Sequence, residues 1–363
     1  MATETSSAFA RALSQSTPPF YWFRDHHAAS EGKITIRGVV ASNAKLDPDG
    51  LKAQVNGIPA RVSCVSMASQ ADDRFWFLPA THRAGVVIEA PLLAGTTSAA
   101  VTLQPRGMPR EQAYRHAFHL YFDHTQVGVT PPVENIERVS GKGATAYNYF
   151  NNGATDFHRF VGLAAEHGVD ALDARTRILD WGSGCARLTR HLLALPSGRG
   201  RVSGADIDPD NIGWSRQHID KDAFHVVELM PPTIFADRSF DLVLANSVLS
   251  HLTAPAMNAW LAEVKRILRP GGLALLSYHG DFSLAGFCAR APAFVDKVWQ
   301  SGFNDEQKAS ELDTVIADAS YYRQTFMTDE AALAIFGQHL SVEGFMVGMV
   351  SRFQNVAVLR RPA

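Results

Sequence analysis

Apolar positions follow two different periods along this chain. In the first part they alternate with polar ones. Lys33-Ile-Thr-Ile-Arg-Gly-Val-Val40 sets β-branched residues against polar neighbours, the period-two pattern of a half-buried strand. Val55-Asn-Gly-Ile58 holds the Asn-Gly pair of a two-residue hairpin turn, where both central residues take positive φ. Arg74-Phe-Trp-Phe-Leu78, Gly85-Val-Val-Ile-Glu89 and Ala99-Ala-Val-Thr-Leu103 read as further strands, with no helical period among them. Short strands so spaced predict a small all-β, sandwich-like domain over residues 1–135. Pro131-Pro132 and Gly141-Lys-Gly143 read as the linker that follows.

From about Ala144 the period lengthens and then switches repeatedly. Phe157, Phe160, Val161 and Ala164 recur at helical spacing, and Arg177-Ile-Leu-Asp-Trp181 reads as a strand. A helix over 186–195, a strand over 201–207, a helix over 209–218 and strands over 224–227 and 240–245 are predicted next. Met257, Trp260, Leu261, Val264, Ile267 and Leu268 form the buried stripe of the following helix. Thr253 is its expected N-cap, Pro255 lies in its first turn and Arg269-Pro-Gly-Gly272 ends it. Leu273–Ser277 is the next strand, and 342–350 with 356–360 reads as a closing antiparallel hairpin. Repeated βα units of this size predict a parallel sheet covered on both faces. Residues 281–327 depart from that plan. Phe282, Phe287, Phe294, Trp299, Phe303, Tyr321, Tyr322 and Phe326 make the stretch aromatic-rich, which suits a helical insertion with its own small core or a lid over a substrate.

Composition narrows the class of function. The 363 residues carry 34 Lys+Arg against 36 Asp+Glu, a balance that argues against a dedicated nucleic-acid binder. No apolar stretch approaches the ~20 residues of a membrane span, and Met1–Ser16 lacks the apolar core of a signal peptide. Cys64, Cys185 and Cys288 are too scattered for a disulfide scaffold or a CxxC site, which suits a reducing cytoplasm. Arg115-His-Ala-Phe-His119 with Asp123 and His124 fits no common ligand spacing, so no metal is expected. The expected partner is a small molecule rather than a nucleic acid or a membrane. A homo-oligomer is left open.

Ligands of an open α/β sheet bind beyond the carboxyl ends of its strands. Ile178-Leu-Asp-Trp-Gly-Ser-Gly-Cys-Ala-Arg187 lies at such an end, and Gly182 and Gly184 allow a tight turn and a close backbone approach. A dinucleotide fingerprint needs a third glycine where Arg187 stands, so NAD is disfavoured. Asp206 ends the next strand, where a carboxylate can accept from both hydroxyls of a ribose. Asp208, directly before Pro209, suits the cap of the following helix.

Taken in order, ILDWGSG, GADID, Ser239-Phe-Asp-Leu-Val-Leu-Ala-Asn-Ser-Val-Leu-Ser-His-Leu252 and Ile267-Leu-Arg-Pro-Gly-Gly-Leu273 resemble the class I S-adenosylmethionine-dependent methyltransferases. The resemblance covers about Ala144 to Gly280, with looser agreement in the closing strands. It implies a Rossmann-like seven-stranded methyltransferase sheet over 136–363. It also implies S-adenosyl-L-methionine as cofactor. Asp180, Gly182, Ser183 and Gly184 would then cradle its methionine part, and Asp206 with Ile207 its ribose. Leu229 would stand at the adenine, and Asn246 and Ser247 on the methyl side. Family members often place an acid after the third strand to read the adenine amine; here Leu229-Met-Pro-Pro232 stands there instead, leaving backbone groups and apolar walls.

An activated sulfonium needs mainly alignment, but an alcohol nucleophile must also lose a proton, for which a neutral imidazole is suited. His251 and His279 follow the fourth and fifth strands and are the candidates. Neither paired acids for a divalent cation nor an Asn-Pro-Pro-Phe-like signature follows the fourth strand, which favours oxygen over exocyclic nitrogen as the acceptor atom. The first reading is therefore a small-molecule O-methyltransferase. Its rival is a binding or scaffold protein that keeps the fold without catalysis.

Overall fold

The computed structural model describes residues 4–30, 32–66, 75–109, 112, 115–318, 320–351 and 353–363. They form two compact units, Met1–Asp123 with Leu284–Asp296 and His124–Ser283 with Lys297–Ala363. The division falls at Asp123/His124, a dozen residues ahead of the boundary expected at 135/136.

The first unit contains helix α1 (Glu4–Ser16) and strands β1 (Tyr21–Ser30), β2 (Lys33–Ala41), β3 (Leu51–Val55), β4 (Ile58–Val65), β5 (Arg83–Pro91), β6 (Ser98–Pro105) and β7 (Ala117–Tyr121). All neighbouring strands are antiparallel, in the order β1-β2-β5-β4-β3-β6-β7. Strand β4 joins the two halves, pairing with β3 through Val55↔Ile58 and with β5 through Arg61↔Glu89. Alternation decides the faces: Leu51, Ala53 and Val55 are buried while Lys52 and Gln54 are exposed. Asn56 and Gly57 make the hairpin turn at φ 52° and 78°.

Two expectations need correction here. Phe75–Leu78 is a turn closed by the Leu78 amide on the Phe75 carbonyl at 2.9 Å, and not a strand; Arg74 lies outside the described residues. Its buried Phe75 ring sits 5.6 Å from Tyr21 and 6.0 Å from Phe23, so the apolar run plugs an aromatic cluster instead of adding to the ladder. The amino-terminal stretch, for which no element was expected, forms α1, because Phe9 and Leu13, one helical turn apart, are both buried.

The second unit opens with α2 (Val133–Ser140), so a helix occupies the stretch expected as linker between Pro132 and Gly141. There follow α3 (Ala146–Glu166), β8 (Ile178–Trp181), α4 (Thr189–Leu193), β9 (Val202–Asp206), α5 (Pro209–His218), β10 (Phe224–Val226), β11 (Phe240–Ala245), α6 (Ala254–Ile267) and β12 (Leu268–Tyr278). After α7 (Asp281–Ala285) and α8 (Pro292–Ser301), whose residues 284–296 belong to the first unit, come β13 (Phe303–Lys308), β14 (Arg323–Met327), α9 (Asp329–Gly337), β15 (Ser341–Val350) and β16 (Gln354–Arg360). The stretch 281–327, expected to be helical, thus ends in a β13–β14 hairpin. Helix α4 is shorter than expected because Gly184 and Ala186 hold left-handed backbone at φ 50° and 67°, which no helix start allows.

The sheet order is β10-β9-β8-β11-β12-β16-β15, with the first five strands parallel and β16 and β15 antiparallel. Leu242, Val243, Leu244 and Ala245 are fully buried, as a parallel strand covered on both faces requires. Succession runs outward from β8 on one side and from β11 on the other. The two crossovers therefore part between them and open a crevice at their carboxyl ends.

The helix after β9 is fixed by its cap. Asp208 Oδ1 accepts from the Asp210 and Asn211 amides at 2.9 and 3.2 Å, and its Oδ2 lies 3.3 Å from Arg138 Nε. Asp208→Ala should cost about 2 kcal/mol of unfolding free energy, the upper end for a lost cap, because Asn211 Nδ2 and Arg138 Nε also lose an acceptor, Arg138 keeping Asp210. Urea denaturation checks this. A loss below about 0.5 kcal/mol would mean that water replaces the cap.

Candidate active site

Beyond Trp181 the chain reverses through Gly182 and Gly184 at φ 77° and 50°. A Cβ on Gly182 would come within 2.2 Å of Val248 Cγ2, and one on Gly184 within 2.4 Å of Val139 Cγ2. Both positions thus require glycine twice over, for the backbone hand and for the close approach. The loop is tied to the next strand: the Gly182 and Ser183 amides donate to the Ala205 carbonyl at 2.8 and 3.0 Å. Asp180 lies beneath it, 1% exposed, and accepts from the Thr189 hydroxyl at 2.5 Å. Burial pushes its carboxyl up to about 6, against the opposing pull of Thr189 and Arg187. Asp180 therefore supports the loop from below.

Asp206 closes the other side. Its Oδ2 accepts from the Gly184 amide at 2.7 Å and its Oδ1 from the Asp208 amide at 2.9 Å. A carboxylate can accept about four donors, so these leave it acceptor capacity. Burial pushes this carboxyl up to about 6, partly offset by the Asp208, Gly184 and Ile207 amides. Asp208 is the helix cap, as the sequence suggests. Ile207 and Leu229 are partly buried apolar residues beside the main core. The Leu229 carbonyl already accepts from Trp260 Nε1 at 3.0 Å and from the Tyr321 hydroxyl, so that carbonyl is spent inside the protein.

At the end of β11, Asn246 donates through Nδ2 to Asp156 Oδ2 at 2.8 Å, and Arg187 stands 4.0 Å from the same oxygen. Burial raises the Asp156 carboxyl, with Arg187 and Arg159 opposing. Asn246 Oδ1 and Ser183 Oγ are buried and lack hydrogen-bond partners among the described residues. They belong to neighbouring strand ends, since Ala245 pairs with Trp181. Ser247 holds a left-handed backbone at φ 65°, and its amide donates to Ser277 Oγ at 2.7 Å.

The two histidines differ in what their rings have left over. His251 Nδ1 lies 2.9 Å from the Arg323 carbonyl, which makes it the protonated nitrogen and leaves Nε2 with a lone pair. Its ring stacks on Tyr322 at 4.3 Å, nearly coplanar, and burial lowers its pKa below the usual histidine range. His279 has both nitrogens engaged, with Nδ1 toward the Thr325 carbonyl at 3.1 Å and Nε2 toward the Gln354 amide at 3.2 Å. Burial pushes His279 down to about 3. Both His279 nitrogens are thus engaged, whereas the side-chain hydrogen bond of His251 runs through Nδ1.

Asp156, Tyr322 and Gln354 belong to this region and were not among the residues expected there. A signal exists for Asp156, a carboxylate four residues before Phe160 on the apolar stripe of α3, and for Gln354 and Asn355, polar residues at the start of a buried strand. Nothing in the sequence pairs Tyr322 with His251.

A methyltransferase-domain family matches residues 178–272, from β8 into β12. The malonyl-[acyl-carrier protein] O-methyltransferase of Hahella chejuensis is 30% identical over 154 residues, 41% of this chain and 54% of that protein. The arsenite methyltransferase of Aquipseudomonas alcaligenes is 27% identical over 217 residues, 49% of this chain and 62% of that protein. The chain thus spans between half and two thirds of these relatives' length. Among solved structures, the magnesium protoporphyrin IX methyltransferase of Synechocystis with bound SAH is similar at a TM-score of 0.40 and 14% identity, over 63% of this chain and 93% of that one. With its glycine turn, its strand-end acid and the matched segment from Ile178 to Gly272, the doubly wound unit of this chain is similar to the class I S-adenosylmethionine-dependent methyltransferases over that segment.

Proposed function

We propose that the chain is an S-adenosylmethionine-dependent methyltransferase that methylates a small molecule, on oxygen. The observation that carries this reading is unspent acceptor capacity at three adjoining strand ends. The Asp206 carboxylate keeps acceptor capacity, while Ser183 Oγ and Asn246 Oδ1 are buried without partners among the described residues. These groups fit an adenosyl ligand that brings ribose hydroxyls and an ammonium group. The O-methyltransferase named among the relatives supports oxygen as the acceptor atom.

When bound, S-adenosylmethionine supplies a methyl group already activated on sulfur. Asp206 would accept from the ribose hydroxyls, and Ile207 and Leu229 would flank the base. The Gly182–Gly184 backbone would hold the methionine portion, with Asp180 and Thr189 supporting the loop from beneath. Asn246 and Ser247 would border the methyl side. His251 Nε2 takes the proton of an alcohol acceptor, and stacking on Tyr322 fixes the ring plane while Nδ1 stays on the Arg323 carbonyl. His279 is a positioning residue in this reading.

Asp206→Ala should weaken S-adenosylhomocysteine binding at least tenfold in calorimetry, since two charge-assisted bonds of roughly 1.5–3 kcal/mol each are partly replaced by water. The same titration should show no binding of NAD. Binding of NAD without S-adenosylhomocysteine overturns the family-based reading of the ligand.

The pH dependence of that affinity has a definite sign. The free Asp206 carboxyl titrates near 6, and hydroxyl donors favour its charged form. Affinity should therefore fall as pH drops from 7 to 5, and Asp206→Asn should flatten the slope. A slope unchanged by Asp206→Asn would assign the titration to another group.

His251→Ala should lower kcat at least a hundredfold for an alcohol acceptor and leave S-adenosylhomocysteine affinity within about threefold, because a base contributes roughly 10²–10⁴ in the transition state. Wild-type kcat should show an acidic limb below pH 6.5, absent in the variant. Retention of kcat in His251→Ala would show that alignment alone carries the reaction.

A further inference from the structure

Gln354 opens β16, the strand that closes the sheet against β12, and its side chain is 3% exposed. A buried primary amide has two donors and one acceptor oxygen to satisfy. Here all of them are directed at groups already described. The Ser277 hydroxyl donates to Gln354 Oε1 at 2.7 Å. Gln354 Nε2 donates to Ser247 Oγ at 2.8 Å and faces His279 Nε2 at 3.2 Å. Ser277 is joined to the same residue from the other side, since its Oγ accepts the Ser247 amide at 2.7 Å.

Ser247 needs this support. It is a non-glycine residue at φ 65°, a conformation that costs free energy unless its surroundings impose it. Its neighbours set the cleft: Asn246 presents the unpartnered Oδ1, and Val248 packs where a Cβ on Gly182 would fall. The two Ser247 contacts, amide to Ser277 and hydroxyl to Gln354, therefore fix where the β11 loop meets the glycine turn. His279 is fixed in the same way. Its Nδ1 proton points to the Thr325 carbonyl, so Nε2 must accept, and among the described residues Gln354 supplies the donor. Phe326 and Phe353 stack on its ring at 4.5 and 5.5 Å.

We propose that Gln354 is a positioning residue of the methyl-transfer site, holding the left-handed Ser247 turn and locking His279 as a neutral Nδ1–H tautomer. The role in transfer rests on the function proposed above, but the network itself does not. Glutamine suits the position because it can accept from Ser277 and donate to both Ser247 and His279. Glutamate has the same shape and no donor, so facing His279 Nε2 it would need that nitrogen protonated.

The two substitutions separate these duties. In Gln354→Leu the Ser247 turn loses its side-chain anchor, and S-adenosylhomocysteine binding should weaken at least tenfold. In Gln354→Glu the carboxylate can still receive the Ser277 and Ser247 hydroxyls, so binding should stay within about threefold of wild type. His279 should change charge instead. Imidazole nitrogen NMR of the full chain should show a neutral Nδ1–H ring for wild-type His279 at pH 7, and a doubly protonated ring in Gln354→Glu, with His279→Gln providing the assignment. A wild-type His279 in the Nε2–H tautomer, or one that titrates near 6.5, would overturn the proposal. So would S-adenosylhomocysteine affinity and a His279 spectrum unchanged in both variants. If the wild-type chain binds no S-adenosylhomocysteine, the proposed function fails, and the NMR comparison still decides the network by itself.

Discussion

The hydrogen bond from the Gly184 amide to Asp206 Oδ2 joins the turn after β8 to the end of β9, and the rest of the cleft is arranged around it. An amide can reach a carboxylate on the neighbouring strand only if the chain reverses sharply after Trp181, and that reversal demands left-handed backbone at Gly182 and Gly184. The same turn brings the Gly182 and Ser183 amides onto Ala205, so three consecutive N–H groups are spent inside the protein. None of these three is left to cradle a phosphate. A pyrophosphate-binding loop works the other way, keeping its amides free for the anion. The preference for a ligand without phosphates, inferred from Arg187 at the third glycine position, thus has a second and independent cause in where the amides go.

Desolvation sorts the ionisable groups of the region into roles. Asp180, Asp156 and Asp206 are all raised by burial, yet they differ in their partners. Asp180 is committed to Thr189, and Asp156 to Asn246 with Arg187 nearby, so both serve as scaffold. Asp206 takes backbone donors, from Gly184, Asp208 and Ile207, which orient the carboxylate without exhausting it. The resulting asymmetry has a physical basis: a buried acid without donors would stay neutral, and one saturated with donors would have nothing to offer a ligand.

Much of the doubly wound unit was legible because its elements carry local signals. Thr253 and Asp208 cap the helices they were expected to cap, and Phe240–Ala245 is a strand over the span its apolar run suggests. Legibility failed where long-range packing overrode local pattern. Phe75-Trp-Phe-Leu78 has the composition of a strand, but the Phe75 ring is worth more in the Tyr21–Phe23 cluster than in a ladder. Helix α2 lay hidden between Pro132 and Gly141, whose punctuation marks the ends of a short helix as readily as a linker. At the site, the glycines, Asp206 and the histidines were visible as strand-end residues. The partners that decide their chemistry, Thr189, Asp156, Tyr322 and Gln354, are separated from them in sequence or lie on other elements, and no local spacing reveals them.

The two histidines show why such partners matter. From sequence they are near equivalents, each just past a parallel strand. In the folded chain both donate Nδ1–H to a carbonyl of the β14 strand, from Arg323 or from Thr325, so the same tautomer is imposed on each. They diverge at Nε2. At His279 the Gln354 amide occupies that nitrogen and burial pushes the pKa to about 3, which makes the ring a neutral spacer between Phe326 and Phe353. At His251 the tautomer leaves Nε2 as a lone-pair acceptor, the protonation state that the proposed general base requires. A single strand thus sets the tautomer of both rings, and one glutamine distinguishes them at Nε2.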